Sequence, residues 1–323
     1  MTTMETLLCA ARNAQEAGRS VVLTAVVRSE GSTPRSTGAL MVSDETGLLA
    51  GTIGGGPLEH HCLQIAAEFS DRVGRREQFV LNNTQAGSLG MVCGGSTEVL
   101  YTPLCDTAPL LQALALVERG KAGWLCLPLD GAAPMIVEQE ALPPYPAVVK
   151  GKKTEFLSIP LLDAGRIFLL GGGHVAVETA ALLSRLEFRH IVVDDRREFA
   201  APERFPDAEQ MLELPFSKLF DTLTGTLQPT EQDGVCIMTR GHEGDAEALR
   251  FALSTKAGYI GLMGSRRKRE AVFARLESEG FSNVAQRVVT PIGLAIGAET
   301  PAEIAVSIAA QLIEWRAAQR RKE

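Results

Sequence analysis

RIFLLGGGHVAVETAALLSRL, residues 166–186, is the stretch whose reading decides the fold. An apolar run meets three glycines, and apolar residues then recur at helical spacing. The pattern predicts a strand, a glycine turn and a helix. Gly171, Gly173 and Ala176 fall on the G-x-G-x-x-G/A fingerprint, and an acid closes the next strand, HIVVDD (190–195), at Asp194 or Asp195. That spacing, about 20 residues, is the one a dinucleotide-type turn uses. His174 lies inside the turn, beside any phosphate bound there. The same turn binds many phosphates, and some domains of this kind bind nothing, so the residues leave its ligand open.

Working outward, GVCIMT (234–239) and GYIGLMG (258–264) read as further strands, and AEALRFALSTK (246–256) and EAVFARLESEG (270–280) as helices. Strands that are apolar throughout and alternate with helices predict an α/β domain: a Rossmann-like parallel sheet with helices on both faces. Ligands of such sheets bind outside the carboxyl ends of the strands. That rule gathers the glycine turn, Asp194 to Arg197, the Thr239-Arg240-Gly241-His242 stretch, and Gly264 to Arg269. In the last of these Ser265 is a candidate N-cap, yet Arg266, Arg267, Lys268 and Arg269 crowd the first helical turn. The helix dipole disfavours cations there, and a bound anion would offset the repulsion. The alternative is that they fan into solvent and pair with Glu270.

Upstream the grammar differs. VVLTAVV (21–27), GALMVS (38–43) and TEVLYTPL (97–104) read as strands, a helix is expected near 107–119, and WLCLPL (124–129) reads as another strand. A second glycine turn, GTIGGGPLEHHC (51–62), feeds a helix with Pro57 at its first position and Glu59 in its first turn. Bare backbone at a helix start can cradle an anion; a tight turn needing positive φ is the other reading. Glu59 can handle a proton or cap its helix. The expected organisation is an N-terminal mixed α/β domain over 1–130, a linker rich in Pro and Lys over 131–162, and the Rossmann-like domain over 163–323.

The chain has 323 residues, 45% hydrophobic, and a net charge of −7. The acidic balance argues against a nucleic-acid surface. No apolar run is long enough to span a bilayer, and the acidic, helical start is unlike a cleaved leader; a cytoplasmic protein is expected. Six cysteines are scattered without a Cys-x-x-Cys pair, so neither structural zinc nor a disulfide framework is expected. His60, His61 and Cys62 are adjacent and point apart on a helix, so no metal site is expected there.

Taken together, GSTPRSTGALM (31–41), GTIGGGPLE (51–59), CGG (93–95), GGGHVA (171–176), VVDDRREF (192–199), TRGH (239–242), YIGLMGSRRKR (259–269) and TPIGLAIGAETPAEIAVSIAAQ (290–311) resemble the XdhC/CoxI family. These are accessory factors of xanthine dehydrogenase and related molybdenum hydroxylases. The resemblance implies a chaperone more than a catalyst: one that binds molybdenum cofactor (molybdopterin), protects its sulfurated form and delivers it to the apo-hydroxylase. It implies a cysteine desulfurase as a further partner and a homodimer as the assembly. Where the family pattern is Met-Cys-Gly-Gly, this chain has Met91-Val92-Cys93-Gly94-Gly95. On the resemblance Cys93 holds or relays sulfur, while its alternative is a small packed residue. Arg35, Thr52, Gly54, Gly55, Gly56, Glu59, Gly94 and Gly95 are then candidate cofactor contacts, with Gly171, Gly173, His174, Asp194, Asp195, Arg240, His242, Ser265, Arg266 and Arg267 in the second half. Arginine's planar fork suits phosphate or an oxo-anion; a surface salt bridge is the other reading of Arg35. Two competing functions stand beside this one: an NAD(P)-dependent oxidoreductase using the Rossmann half, with NAD(P) or another nucleotide at its turn, and a pure interaction scaffold.

Overall fold

The computed structural model describes residues 3–69, 72–81, 94–138, 142–162, 165–264 and 266–322. The chain divides into two compact units, 1–164 and 165–323.

In the first unit α1 (Thr3–Glu16) precedes β1 (Val22–Glu30), β2 (Leu40–Asp44), β3 (Gly47–Gly51), α2 (Gly56–Ala67), β4 (Arg75–Leu81), β5 (Gly95–Pro103) and α3 (Ala108–Glu118). The five strands form an antiparallel sheet in the order β3-β2-β1-β5-β4. Alternation along β1 sends its two sets of side chains to opposite faces. Leu23, Ala25 and Val27 pack with α1 and α3. Val22 and Val26 pack with Leu58, Cys62 and Ala66 of α2. The Tyr101 hydroxyl donates to Cys62 Sγ at 3.1 Å, tying α2 to the sheet and so fixing where its N-terminus lies.

Residues 131–162, expected as a linker, instead carry most of a second sheet. β6 (Trp124–Pro128), β7 (Met135–Val137), β8 (Ala147–Lys150) and β9 (Glu155–Pro160) are antiparallel in the order β7-β6-β9-β8. Leu125, Leu127, Leu157 and Ile159 bury into the same core as α1 and α3. Strands as short as three residues, set between prolines, are too brief to leave a visible period.

The second unit contains β10 (Arg166–Leu170), α4 (His174–Arg185), β11 (Arg189–Asp194), β12 (Gln210–Glu213), α5 (Leu219–Thr222), β13 (Gly234–Ile237), α6 (Gly241–Ser254), β14 (Tyr259–Leu262), α7 (Arg266–Ser278), α8 (Val284–Arg287) and α9 (Pro301–Lys322). All five strands are parallel, in the order β12-β11-β10-β13-β14. Phe168 and Leu170 bury against α6 and α7, while Ile167 and Leu169 bury against α4 and α9. Both faces are covered, as the apolar strands predict. The strand order reverses between β10 and β13, which places the switch-point crevice beyond the carboxyl end of β10. No helix among the described residues is long and apolar enough to cross a membrane.

Candidate functional site

In the first unit three loops distant in sequence converge. Gly54 has φ +128°, and a Cβ there would overlap the Pro34 side chain and lie 3.4 Å from Arg35 Cγ. Gly31 approaches the third loop: a Cβ on it would sit 3.2 Å from Gly95 Cα. Residues 31–35, 54–59 and 94–95 thus form one cluster. Arg35 is exposed, and among the described residues its guanidinium has no acidic partner.

The glycine turn already holds an anion, and that anion is the chain's own. Glu59 Oε2 accepts from Thr52 Oγ1 (2.5 Å), the Ile53 N–H (3.0 Å) and the Gly55 N–H (3.1 Å). The Gly54 N–H donates to Thr52 Oγ1 at 3.0 Å. Burial works to raise the Glu59 pKa, but the Thr52 hydroxyl and the neighbouring N–H groups together hold it below the ordinary carboxylate value. Glu59 therefore caps its helix, as one of its two readings had it. The expectation that these N–H groups cradle a foreign anion is corrected for Ile53, Gly54 and Gly55. What remains open is the outer side of the turn. Among the described residues, a Cβ on Gly55 or Gly56 would meet no heavy atom within 4 Å, which leaves the backbone at the start of α2 bare of them.

In the second unit the fingerprint positions have their usual mechanical roles. Gly171 has φ +113°, and its N–H donates to the Val193 carbonyl at 2.7 Å. Gly173 is the N-cap of α4, and Ala176 is buried against the sheet. His174, Arg240 and His242 are exposed. Asp195 pairs with Arg240 Nη2 at 3.5 Å and with Arg196 Nε at 3.6 Å, so one ion pair spans the end of β10. Thr239 Oγ1 donates to Asp245 Oδ1 at 2.6 Å.

Asp194 differs from its expected role as a cofactor contact. Its Oδ1 accepts from the Arg196 N–H (3.0 Å) and Nε (2.9 Å), and its Oδ2 from the Gly172 N–H (2.8 Å) and Arg196 Nη2 (3.1 Å). Burial tends to raise its pKa, but the Arg196 fork and the Gly172 N–H outweigh it and hold the carboxyl below its ordinary value. Arg196 in turn lies 3.4 Å from the Phe199 ring centroid, and Arg204, 4.9 Å from the same ring, donates to the Gly172 carbonyl at 3.0 Å. The string VVDDRREF contained Arg196 and Phe199 without showing that they stack; no sequence signal pointed to Arg204. Cys93, Ser265 and the side chains of Arg266 and Arg267 lie outside the described residues.

A model of the XdhC Rossmann domain matches residues 167–312, and one of the XdhC and CoxI family matches residues 14–80. The uncharacterized protein YqeB of Escherichia coli is 26% identical over 291 residues, 90% of this chain. The chain spans only 42% of the length of that relative. A probable xanthine dehydrogenase subunit of Bacillus subtilis is 24% identical, with 98% of each chain covered. A crystal structure of a xanthine dehydrogenase from Bacillus halodurans superposes with a TM-score of 0.74 at 23% identity, covering 98% of this chain and 96% of that one. At that identity the likeness is one of fold. With a matching family model in each of its two units, the chain belongs to the XdhC/CoxI family.

Proposed function

We propose that the chain is a maturation factor for a molybdenum hydroxylase of the xanthine dehydrogenase type, binding sulfurated molybdenum cofactor and delivering it to the apo-enzyme. The observation that carries this reading is the convergence of residues 31–35, 54–59 and 94–95 in the first unit. These are three of the family motifs, and they meet around bare backbone and an arginine with no acidic partner among the described residues. The Bacillus subtilis relative is named as a probable xanthine dehydrogenase subunit, which points to the same client. The cargo is a pterin carrying a phosphate and a dithiolene-bound metal, and it supplies the client with its metal centre and sulfur.

The chemistry of the donors fits such a cargo. Arg35 would hold phosphate through its planar fork. Gly55 and Gly56 would admit the ligand to the backbone, where the first turn of α2 favours negative charge. Glu59 and Thr52 would keep the turn in shape. On this reading the Cys93 thiol holds or relays sulfur drawn from a cysteine desulfurase. The chain would do this in the cytoplasm, as a homodimer. The oxidoreductase reading is less well served, since its expected ribose acceptor, Asp194, is engaged by Arg196.

The test is to express the chain in a cofactor-making host, assay the purified protein for pterin fluorescence after acid oxidation, and mix it with apo-hydroxylase. Bound pterin and gain of hydroxylase activity are expected. A chain that carries no pterin and activates nothing contradicts the proposal.

A further inference from the structure

A glycine turn of this kind recognises a dinucleotide in two places: at the backbone of the turn, and at the acid ending the next strand, which accepts hydrogen bonds from the ribose diol. In the second unit that acid is Asp194, only 2% exposed. An ionised carboxylate offers about four acceptor positions, and here donors of the chain fill four, two on each oxygen. Two come from main-chain N–H groups, of Gly172 and Arg196. The other two come from one guanidinium, Nε to Oδ1 and Nη2 to Oδ2.

We infer that Arg196 closes the adenosine half of this glycine turn, so that the second unit excludes NAD(H) and other nucleotides that present a free ribose diol to Asp194. The guanidinium takes one position on each carboxylate oxygen, and a diol, with two adjacent hydroxyls, would need those same positions. Displacing a charged two-pronged contact with neutral hydroxyls exchanges stronger bonds for weaker ones.

The arginine is also held from its other side. Its guanidinium carbon lies 3.4 Å from the Phe199 ring centroid. Phe199 cannot easily withdraw, because its backbone is packed on the turn itself: a Cβ on Gly172 would overlap the Phe199 carbonyl. Arg204 stands 4.9 Å from the same ring and bonds the Gly172 carbonyl. A diol at the neighbouring acid, Asp195, would also compete with cations, since Asp195 faces Arg240 at 3.5 Å and Arg196 at 3.6 Å. Arg196 is thus a specificity-determining residue, and it acts by occupying the acceptor.

The test is a titration of the full-length protein with NADH, followed by calorimetry, with circular dichroism reporting the fold. The wild type is expected to show no saturable binding at millimolar NADH. Arg196→Ala leaves both main-chain bonds to Asp194 and frees one position on each oxygen; it should bind NADH saturably, about tenfold or more tighter than any wild-type signal. Adding Asp194→Asn to that variant should remove the gain. If Arg196→Ala does not fold, Arg196→Lys, which keeps the charge and makes a single contact, should show an intermediate gain. Micromolar binding of NADH by the wild type overturns the inference. So does a folded variant that binds no better than wild type. Pterin retention, on which the maturation reading rests, is not read by this titration, so the two can fail separately.

Discussion

The two glycine turns of this chain each open a helix, and each closes on a carboxylate supplied by the chain itself. They differ in where the acid comes from and in what is left of it. In the first unit Glu59 comes from the helix the turn opens, and the three bonds it accepts all fall on Oε2. Among the described residues its Oε1 has no donor. In the second unit Asp194 comes from the next strand, and a guanidinium completes the set on both oxygens. A turn whose acid keeps capacity, with bare backbone at Gly55 and Gly56 and an exposed arginine beside it, remains open to a ligand. A turn whose acid is saturated serves the fold. The same residue type in the same kind of turn thus supports opposite conclusions, and the count of donors around the acid separates them.

The comparison breaks most visibly at Asp194. Asp194→Ala would strip the partner from Arg196 and leave the Gly172 N–H unmet in a buried place. The expected loss is about 3 kcal/mol, read as a lower denaturant midpoint for the second unit. Asp194→Ala melting like the wild type would show that the carboxylate is not a fastener.

Glu59→Gln is expected to cost less, about 1 kcal/mol, because an amide oxygen keeps one acceptor while the charge-assisted bonds weaken. Thermal melting checks the order of the two variants. If Glu59→Gln were the costlier, the distinction between a saturated acid and a partly engaged one would fail.

Acid titration sharpens the same point. Both carboxyls are held below their ordinary values, 4.5 for Glu59 and 3.8 for Asp194. A depressed acid contributes stability above its unfolded value and loses it as the pH falls through the folded one. Stability should therefore begin to fall as the pH drops below about 4.5 and continue falling as it passes the depressed native values. Glu59→Gln should flatten the part due to Glu59. An identical acid limb in wild type and variant would remove Glu59 from that account.

The smallest effect on stability is expected at Arg35. Its side chain is exposed, so Arg35→Ala should change stability by no more than about 0.5 kcal/mol. Its effect should appear in pterin retention instead, weakened about tenfold for a lost charged contact. A variant that melts early and keeps its pterin would make Arg35 structural.

Four strands of the second unit, β10, β11, β13 and β14, were legible because they are apolar and almost wholly buried, which leaves a plain alternation with helices; the edge strand β12, half-buried and with polar ends, was not. The second sheet of the first unit was not, because strands of three and four residues bounded by prolines carry no period, and their partners in β6 and β9 are a tertiary fact. At the site, the glycines at 54–56 pointed to a ligand's anion at the backbone, whereas the N–H groups of Ile53 and Gly55 are taken by Glu59. That the anion is Glu59 depends on its carboxylate folding back over Ile53 and Gly55, a rotamer choice no spacing encodes. Arg204 was invisible for a related reason: it reaches Gly172, 32 positions earlier, only once β11 lies beside β10.

The claim that the first unit's turn receives a ligand is tested most directly by titrating Gly55→Ala with molybdenum cofactor, at a temperature where the variant is folded. Gly55 has φ +70°, so alanine there costs some stability through strain, and a Cβ at that position meets no heavy atom of the other described residues within 4 Å. Any loss of affinity in the folded variant then reports a collision with the ligand. The expected result is binding weakened about tenfold or more, well beyond the fraction unfolded. Wild-type affinity in folded Gly55→Ala would contradict the account and leave the turn a helix cap closed by Glu59.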